Sequence, residues 1–331
     1  MSKKLTYGVV GGGSWATAIV KMLSENLSEI HWYMRNVSAI EHIRKENHNP
    51  NYLSAVEFNP DQIKLTSNIN ELVKACDLII LAIPSAFLHS EMQPLTTPLT
   101  DKIVFSAIKG IVPESHLIVG EHLHEKHQIP FDQIGVITGP CHAEEVALER
   151  LSYLTIACTD KSIAKEVASS LSSNYIFTKV SDDIIGTEYA AMLKNIYAII
   201  VGIAHGLGYG DNFQSVLMSN AIREMKRFIK KVHHMKRDIN RSAYLGDLLV
   251  TGYSVFSRNR MFGNMIGKGY TVKSAMLEMT MVAEGYYASK IAYEIGKEND
   301  TNLPMIDALY AILYQGKSTK KVMEKLTMKL D

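Results

Sequence analysis

Lys194 interrupts an otherwise apolar stretch, Ala190-Ala191-Met192-Leu193-Lys194-Asn195-Ile196-Tyr197-Ala198-Ile199-Ile200. A lysine in an apolar helix loses hydration, which disfavours its charged form and lowers its pKa. Tuned in this way it can act as a general base near neutral pH. The same pattern fits a lysine that lays its stem along an apolar face and keeps its ammonium in water. Pattern alone does not choose between the two.

Three more clusters carry chemistry. Ser257-Arg258-Asn259 is a compact set of donors suited to a phosphate, and Asp247 upstream of it could orient an ammonium or accept from a hydroxyl. A surface turn with charges fits that pattern too. Ser106-Ala107-Ile108-Lys109-Gly110 and Gly139-Pro140-Cys141-His142-Ala143-Glu144 each follow a predicted strand. The ends of strands are where ligands sit in open α/β sheets. His142, His205 and the His233-His234 pair have no partner legible in the sequence and read as structural or exposed.

Gly11-Gly12-Gly13-Ser14-Trp15-Ala16 matches GxGxxG/A through Gly11, Gly13 and Ala16. Gly11 permits a tight turn, Gly13 lets the backbone approach a pyrophosphate, and Ala16 lets a helix pack close to a sheet. The helix N-terminus then offers N–H groups to the phosphates. The motif lies between a predicted strand and a predicted helix, the context it requires. The second predicted strand ends in Met34-Arg35-Asn36, with no carboxylate for a ribose 2′-hydroxyl. That favours NADP, or acceptance of both NADP and NAD. A plain surface charge is the other reading of Arg35.

These residues need elements to hold them. Short apolar runs at 5–10, 30–34, 78–83, 102–108, 133–138 and 154–157 read as strands, and 15–27 reads as a helix. Alternation of strands and helices predicts a mostly parallel, doubly wound sheet of Rossmann type. Beyond residue 184 long apolar-periodic segments predict a mainly α-helical second domain. The expected division is 1–183 for dinucleotide binding and 184–331 for substrate and catalysis.

Composition narrows the class. The chain has 331 residues and 47% hydrophobic residues, and Lys plus Arg number 35 against 34 Asp plus Glu. A formal charge of +1 gives no bulk attraction to nucleic acid, so no nucleic-acid partner is expected. The basic stretch Lys226–Lys236 reads as a solvated helix face, with anion steering as the lesser option. Three cysteines with no paired spacing fit a reducing compartment and give no support to a metal site. The longest apolar run, Ile196–Ala204, is too short to span a membrane. A cytoplasmic protein with no transmembrane segment is expected, and a homodimer is left open.

In order, these pieces resemble the bacterial-type NAD(P)-dependent glycerol-3-phosphate dehydrogenases. The matching stretches are GGGSWATA at 11–18, IPS at 83–85, SAIKGI at 106–111, GPCHAEE at 139–145, LKNIYAI at 193–199, GDLLVT at 246–251, SRNRMFG at 257–263 and VAEGY at 282–286. They span nearly the whole chain. The resemblance implies Lys194 as the proton acceptor, and Lys109, Gly139, Cys141, Asp247, Ser257, Arg258 and Asn259 around a small phosphorylated substrate. It implies Gly11, Gly13, Ser14, Trp15, Arg35, Lys109, Ala143, Arg258, Val282 and Glu284 around NADP or NAD, with Asn195 and Thr251 as supporting contacts. Two positions depart from the pattern. Ala16 stands where glycine is frequent, and Cys141 stands where serine or threonine is usual, a weaker hydrogen-bond partner.

The implied reaction is reversible hydride transfer between sn-glycerol 3-phosphate and dihydroxyacetone phosphate, feeding phospholipid biosynthesis. Two alternatives stand beside it. A related two-domain dehydrogenase for another hydroxy or imino substrate would not need the Ser257-Arg258-Asn259 donors. A nucleotide-sensing protein without turnover would have no use for Lys194 and Asp247.

Overall fold

The computed structural model describes residues 5–279 and 283–331; Val282 therefore lies outside the described residues. The chain divides into two compact units, one of residues up to Ile108 with Leu117–Ile184, the other of Lys109–His116 with Ile185–Asp331.

The strands are β1 (Tyr7–Val10), β2 (Ile30–Tyr33), β3 (Ile63–Thr66), β4 (Leu78–Leu81), β5 (Ile103–Ser106), β6 (Ile111–Val112), β7 (Leu117–Ile118), β8 (Ile134–Thr138), β9 (Ser152–Cys158) and β10 (Ile176–Ser181). Eight of them form the sheet of the first unit, in the order β10-β9-β8-β5-β4-β1-β2-β3. Its neighbours pair in parallel except β8 with β9. The helices of this unit are α1 (Ser14–Ser24), α2 (Val37–Glu46), α3 (Ile69–Ala75), α4 (Leu88–Met92), α5 (Val119–His127), α6 (Ala143–Ala147) and α7 (Lys161–Leu171).

Central strands β1 and β4 are buried at every residue, as a sheet covered on both faces requires. Their continuous apolar runs are what the sequence shows. The edge strands β3 and β10 escape that reading, because their outer residues alternate with polar ones: Lys64, Thr66, Thr178 and Lys179. The chain enters the sheet at β1 and turns to β2 and β3 on one side, then to β4 and β5 on the other. That reversal makes the carboxyl ends of β1 and β4 the switch point of the sheet, where such folds bind ligands.

The second unit is helical: α8 (Ile184–Gly206), α9 (Asp211–Val232), α10 (Asp247–Tyr253), α11 (Arg258–Gly267), α12 (Val272–Glu278), α13 (Glu284–Glu298), α14 (Pro304–Leu313) and α15 (Thr319–Thr327). Helix α8 has 23 residues, about 34 Å at 1.5 Å per residue. It is long and apolar enough to cross a membrane, yet 94% of its most apolar window is buried within the protein. It is the core helix of the unit, apolar on all sides because protein covers all sides.

Glycines set how α8 and α11 meet. A Cβ on Gly263 would lie 2.0 Å from the Ile199 carbonyl oxygen, and one on Gly202 would lie 2.1 Å from that of Arg260. Backbone touches backbone at both places, which fixes the start of α11 relative to the Lys194 segment.

Candidate functional site

In the first unit a glycine loop joins the end of β1 to the start of α1. Gly11 has φ +133°, and a Cβ there would lie 2.4 Å from the Ala82 carbonyl oxygen. Only glycine meets both conditions. A Cβ on Gly13 would meet nothing within 4 Å among the described residues, so no packing contact there calls for glycine. Gly13 is the N-cap of α1 with no side-chain cap, and the first turn holds no acidic residue. A helix start of this kind is a place where an anion can be favoured. Ala16 is fully buried under the sheet. Ser14 is buried in the first turn of α1, and the Trp15 indole donates to the Ala107 carbonyl at 3.1 Å.

Two side chains brace this loop from outside its motif. Trp32 Nε1 donates to the Gly11 carbonyl at 2.7 Å. Asn49 is buried; its Nδ2 donates to the Gly12 carbonyl at 3.1 Å and to Thr17 Oγ1 at 2.9 Å. Thr17 Oγ1 donates in turn to the Gly13 carbonyl at 2.9 Å. The three loop carbonyls, of Gly11, Gly12 and Gly13, are thus each held by a side-chain donor. Sequence reading missed both residues. Asn49-Pro50-Asn51 looks like an ordinary turn, and only the tertiary contact gives it a role.

Arg35 follows β2, and its Nη1 lies 2.8 Å from Glu91 Oε1. Glu91 comes from α4 and is buried. Gly139 follows β8 with φ +119°, Cys141 is buried, and Ala143 opens α6.

In the second unit Lys194 and Asp247 meet. Lys194 Nζ donates to Asp247 Oδ1 at 2.5 Å, and both residues are under 5% exposed. Asp247 is the first residue of α10, reached through a turn of π-helix over Ser242–Gly246. A carboxylate in a first turn is favoured by the helix dipole. Its Oδ2 has no hydrogen-bond partner among the described residues. Thr251 Oγ1 donates back to the Asp247 carbonyl at 2.6 Å.

Burial pushes the Lys194 pKa down, Asp247 raises it again, and the neighbouring Lys109 charge lowers it; the outcome is about 8, against an ordinary 10.5. Burying a charge pair costs roughly several kcal/mol per ion before their attraction repays it, so stability alone is a poor reason for this pair. A lysine lowered to that value can exchange a proton near neutral pH. Asn195 Nδ2 donates to the Lys109 carbonyl at 2.7 Å, which draws Lys109 to the same place.

The donor cluster opens α11. Ser257 is its N-cap, and Ser257 Oγ accepts from the Arg260 backbone N–H at 3.3 Å. Its hydroxyl proton stays available to donate. Asn259 Oδ1 accepts from the Gly285 N–H at 2.9 Å, which leaves its Nδ2 donors. Gly285 in turn packs so close to Asn195 that a Cβ would lie 2.5 Å from the Asn195 carbonyl oxygen. Glu284 begins α13 at the same junction. Thus Lys109, Lys194, Asn195, Asp247, Thr251 and the start of α11 belong to one unit. The chemistry this arrangement can support is proton transfer at Lys194.

Comparison with known proteins gives a consistent picture. The family profile for the NAD-dependent glycerol-3-phosphate dehydrogenase N-terminus matches residues 6–164, and that for the C-terminus matches residues 183–324. A glycerol-3-phosphate dehydrogenase, NAD(P)+, of Exiguobacterium sp. is 35% identical over 96% of this chain and 94% of its own. That of Bacillus subtilis is 34% identical over 98% and 94%. The solved glycerol-3-phosphate dehydrogenase of Coxiella burnetii superposes with a TM-score of 0.89 at 25% identity, covering 98% of this chain and 99% of that one.

Proposed function

The chain belongs to the NAD-dependent glycerol-3-phosphate dehydrogenase family, and from that premise we propose that it interconverts sn-glycerol 3-phosphate and dihydroxyacetone phosphate using NAD(P)+. The observation that carries this reading is Lys194, buried and hydrogen-bonded to Asp247, with burial pushing its pKa down to about 8.

When bound, the nicotinamide ring supplies the position that accepts or returns the hydride. The chain's own groups manage the proton and the orientation. In oxidation neutral Lys194 takes the proton from the hydroxyl on C2, and Asp247 Oδ1 holds the ammonium that forms. In reduction the Lys194 ammonium donates to the carbonyl oxygen on C2 and then gives up its proton. Asp247 Oδ2, buried and unpartnered, serves as acceptor for a substrate hydroxyl. Lys109 adds positive charge beside Lys194, favouring oxygen that becomes negative. Arg258, with the Ser257 hydroxyl and Asn259 Nδ2, grips the substrate phosphate and so orients the prochiral carbon.

The remaining assignments are part of the same proposal. Gly139 and Cys141 line the substrate region. Gly11, Gly13, Ser14, Trp15, Arg35, Lys109, Ala143, Arg258, Val282 and Glu284 hold the dinucleotide. The open space at Gly13 and the uncapped first turn of α1 fit its pyrophosphate. Residues 1–183 carry the dinucleotide and 184–331 the substrate.

The product supplies phospholipid biosynthesis in the cytoplasm, a placement supported by three buried cysteines that form no disulfide. A homodimer completes the reading, with exposed Tyr253, Val255 and Phe256 as apolar surface for a second copy; sedimentation reads that state. The activity itself is tested by following reduced nicotinamide absorbance with dihydroxyacetone phosphate and either NADPH or NADH. Consumption with at least one cofactor supports the proposal. No consumption with either sinks it.

A further inference from the structure

The second strand ends without the carboxylate that reads a ribose 2′-hydroxyl. The fold brings one in from elsewhere. Glu91, on α4 beyond β4, places Oε1 2.8 Å from Arg35 Nη1. Its Oε2 lies 3.5 Å from the hydroxyl of Tyr33, the last residue of β2. The Glu91 side chain is 9% exposed and the Arg35 side chain 69% exposed. The carboxylate therefore lies beside the guanidinium at the end of β2, as the less exposed partner of the pair. The Tyr33 phenol is raised above its ordinary pKa by burial first and then by the neighbouring Glu91.

We propose that Glu91 is the ribose-reading carboxylate of this nucleotide site and, paired with Arg35, sets the balance between NADH and NADPH. This rests on the reading of the chain as a nicotinamide-dinucleotide dehydrogenase. An ionised carboxylate only accepts hydrogen bonds; it welcomes a 2′-hydroxyl and repels a 2′-phosphate. Arg35 does the opposite, and the pairing uses one edge of a guanidinium that has five donors. Glu91 thus restrains Arg35 from giving the site over to NADPH, while Arg35 keeps a 2′-phosphate acceptable.

The test is direct titration of each reduced cofactor against wild type, Glu91→Gln and Arg35→Ala, read by the fluorescence of the bound nicotinamide. The quantity compared is the ratio of the two dissociation constants, which does not depend on the fraction of active protein. Glu91→Gln should move that ratio towards NADPH by about tenfold, the scale of one hydrogen bond to a charged group. Arg35→Ala should move it towards NADH. If Glu91→Gln weakens or strengthens both cofactors equally, Glu91 only supports the fold and the proposal is overturned. If wild type binds neither cofactor, the dehydrogenase reading fails and this proposal goes with it.

Discussion

Lys194 and Asp247 are joined by a 2.5 Å hydrogen bond in the interior of the helical unit, 53 residues apart in sequence. Burial and the charge of Lys109 pull the lysine down, while Asp247 pulls it up, leaving its pKa at about 8. Oxidation needs the neutral amine, so its kcat/KM should rise with pH and level off above about 8, falling about tenfold per pH unit below that. Reduction needs the ammonium and should show the opposite limb. Asp247→Asn removes the raising influence, so the oxidative limb should move to lower pH. Profiles of wild type and variant in both directions check this; an unmoved midpoint would contradict it.

Gly263 lets α11 touch α8. Gly263→Ala puts a methyl where the Ile199 carbonyl stands. Backbone cannot yield as a flexible side chain does, so the variant should lose about 3 kcal/mol or more of stability. Thermal unfolding reads the loss. A variant as stable as wild type would show that the helices do not meet as described.

Asn49 braces the phosphate loop through two hydrogen bonds. At about 0.5–1.5 kcal/mol each, Asn49→Ala should raise KM for the cofactor roughly tenfold and leave kcat at saturating cofactor within about twofold. Steady-state kinetics with varied cofactor separate the two parameters. A fall in kcat with KM unchanged would argue against a role in the cradle.

Glu224 ties α9 to α14. Helix α14 begins after Leu303 with Pro304, and no side chain of its own caps it. The buried Glu224 carboxylate accepts instead from the Met305 and Ile306 N–H groups at 2.9 and 3.0 Å. Burial lifts its pKa from 4.5 to about 7. A folded-state pKa above the unfolded one gives stability that is full below the unfolded value and is lost as pH rises through the folded value. The window here is pH 4.5 to 7, and the loss is about 3 kcal/mol at 1.36 kcal/mol per unit. Glu224→Gln should flatten this slope in chemical denaturation at a series of pH values. The same slope in both proteins would remove Glu224 as its source.

The sequence makes some of this legible because local pattern and tertiary role agree. Leu78–Leu81 is apolar at every residue because both faces are covered, and Gly11 lies where the backbone must turn. Lys194 stands out because a charge in an apolar helix has few explanations. Other parts depend on contacts that no local pattern carries. Edge strands β3 and β10 mix polar and apolar residues because one side meets water. Asn49 lies in a stretch that looks like a turn until the fold sets it beside Gly12, and nothing local in the sequence brings Glu91 to Arg35. No carboxylate follows β2 in the sequence, and the pairing of Arg35 with Glu91 from a helix beyond β4 depends on the fold.

Lys194→Ala tests the central claim most directly, assayed beside wild type for oxidation of reduced nicotinamide by dihydroxyacetone phosphate, with cofactor binding titrated on the same samples. The account predicts that the variant binds cofactor as wild type does and loses at least about a thousandfold in kcat. A variant that binds cofactor and turns over at a rate near wild type would contradict it.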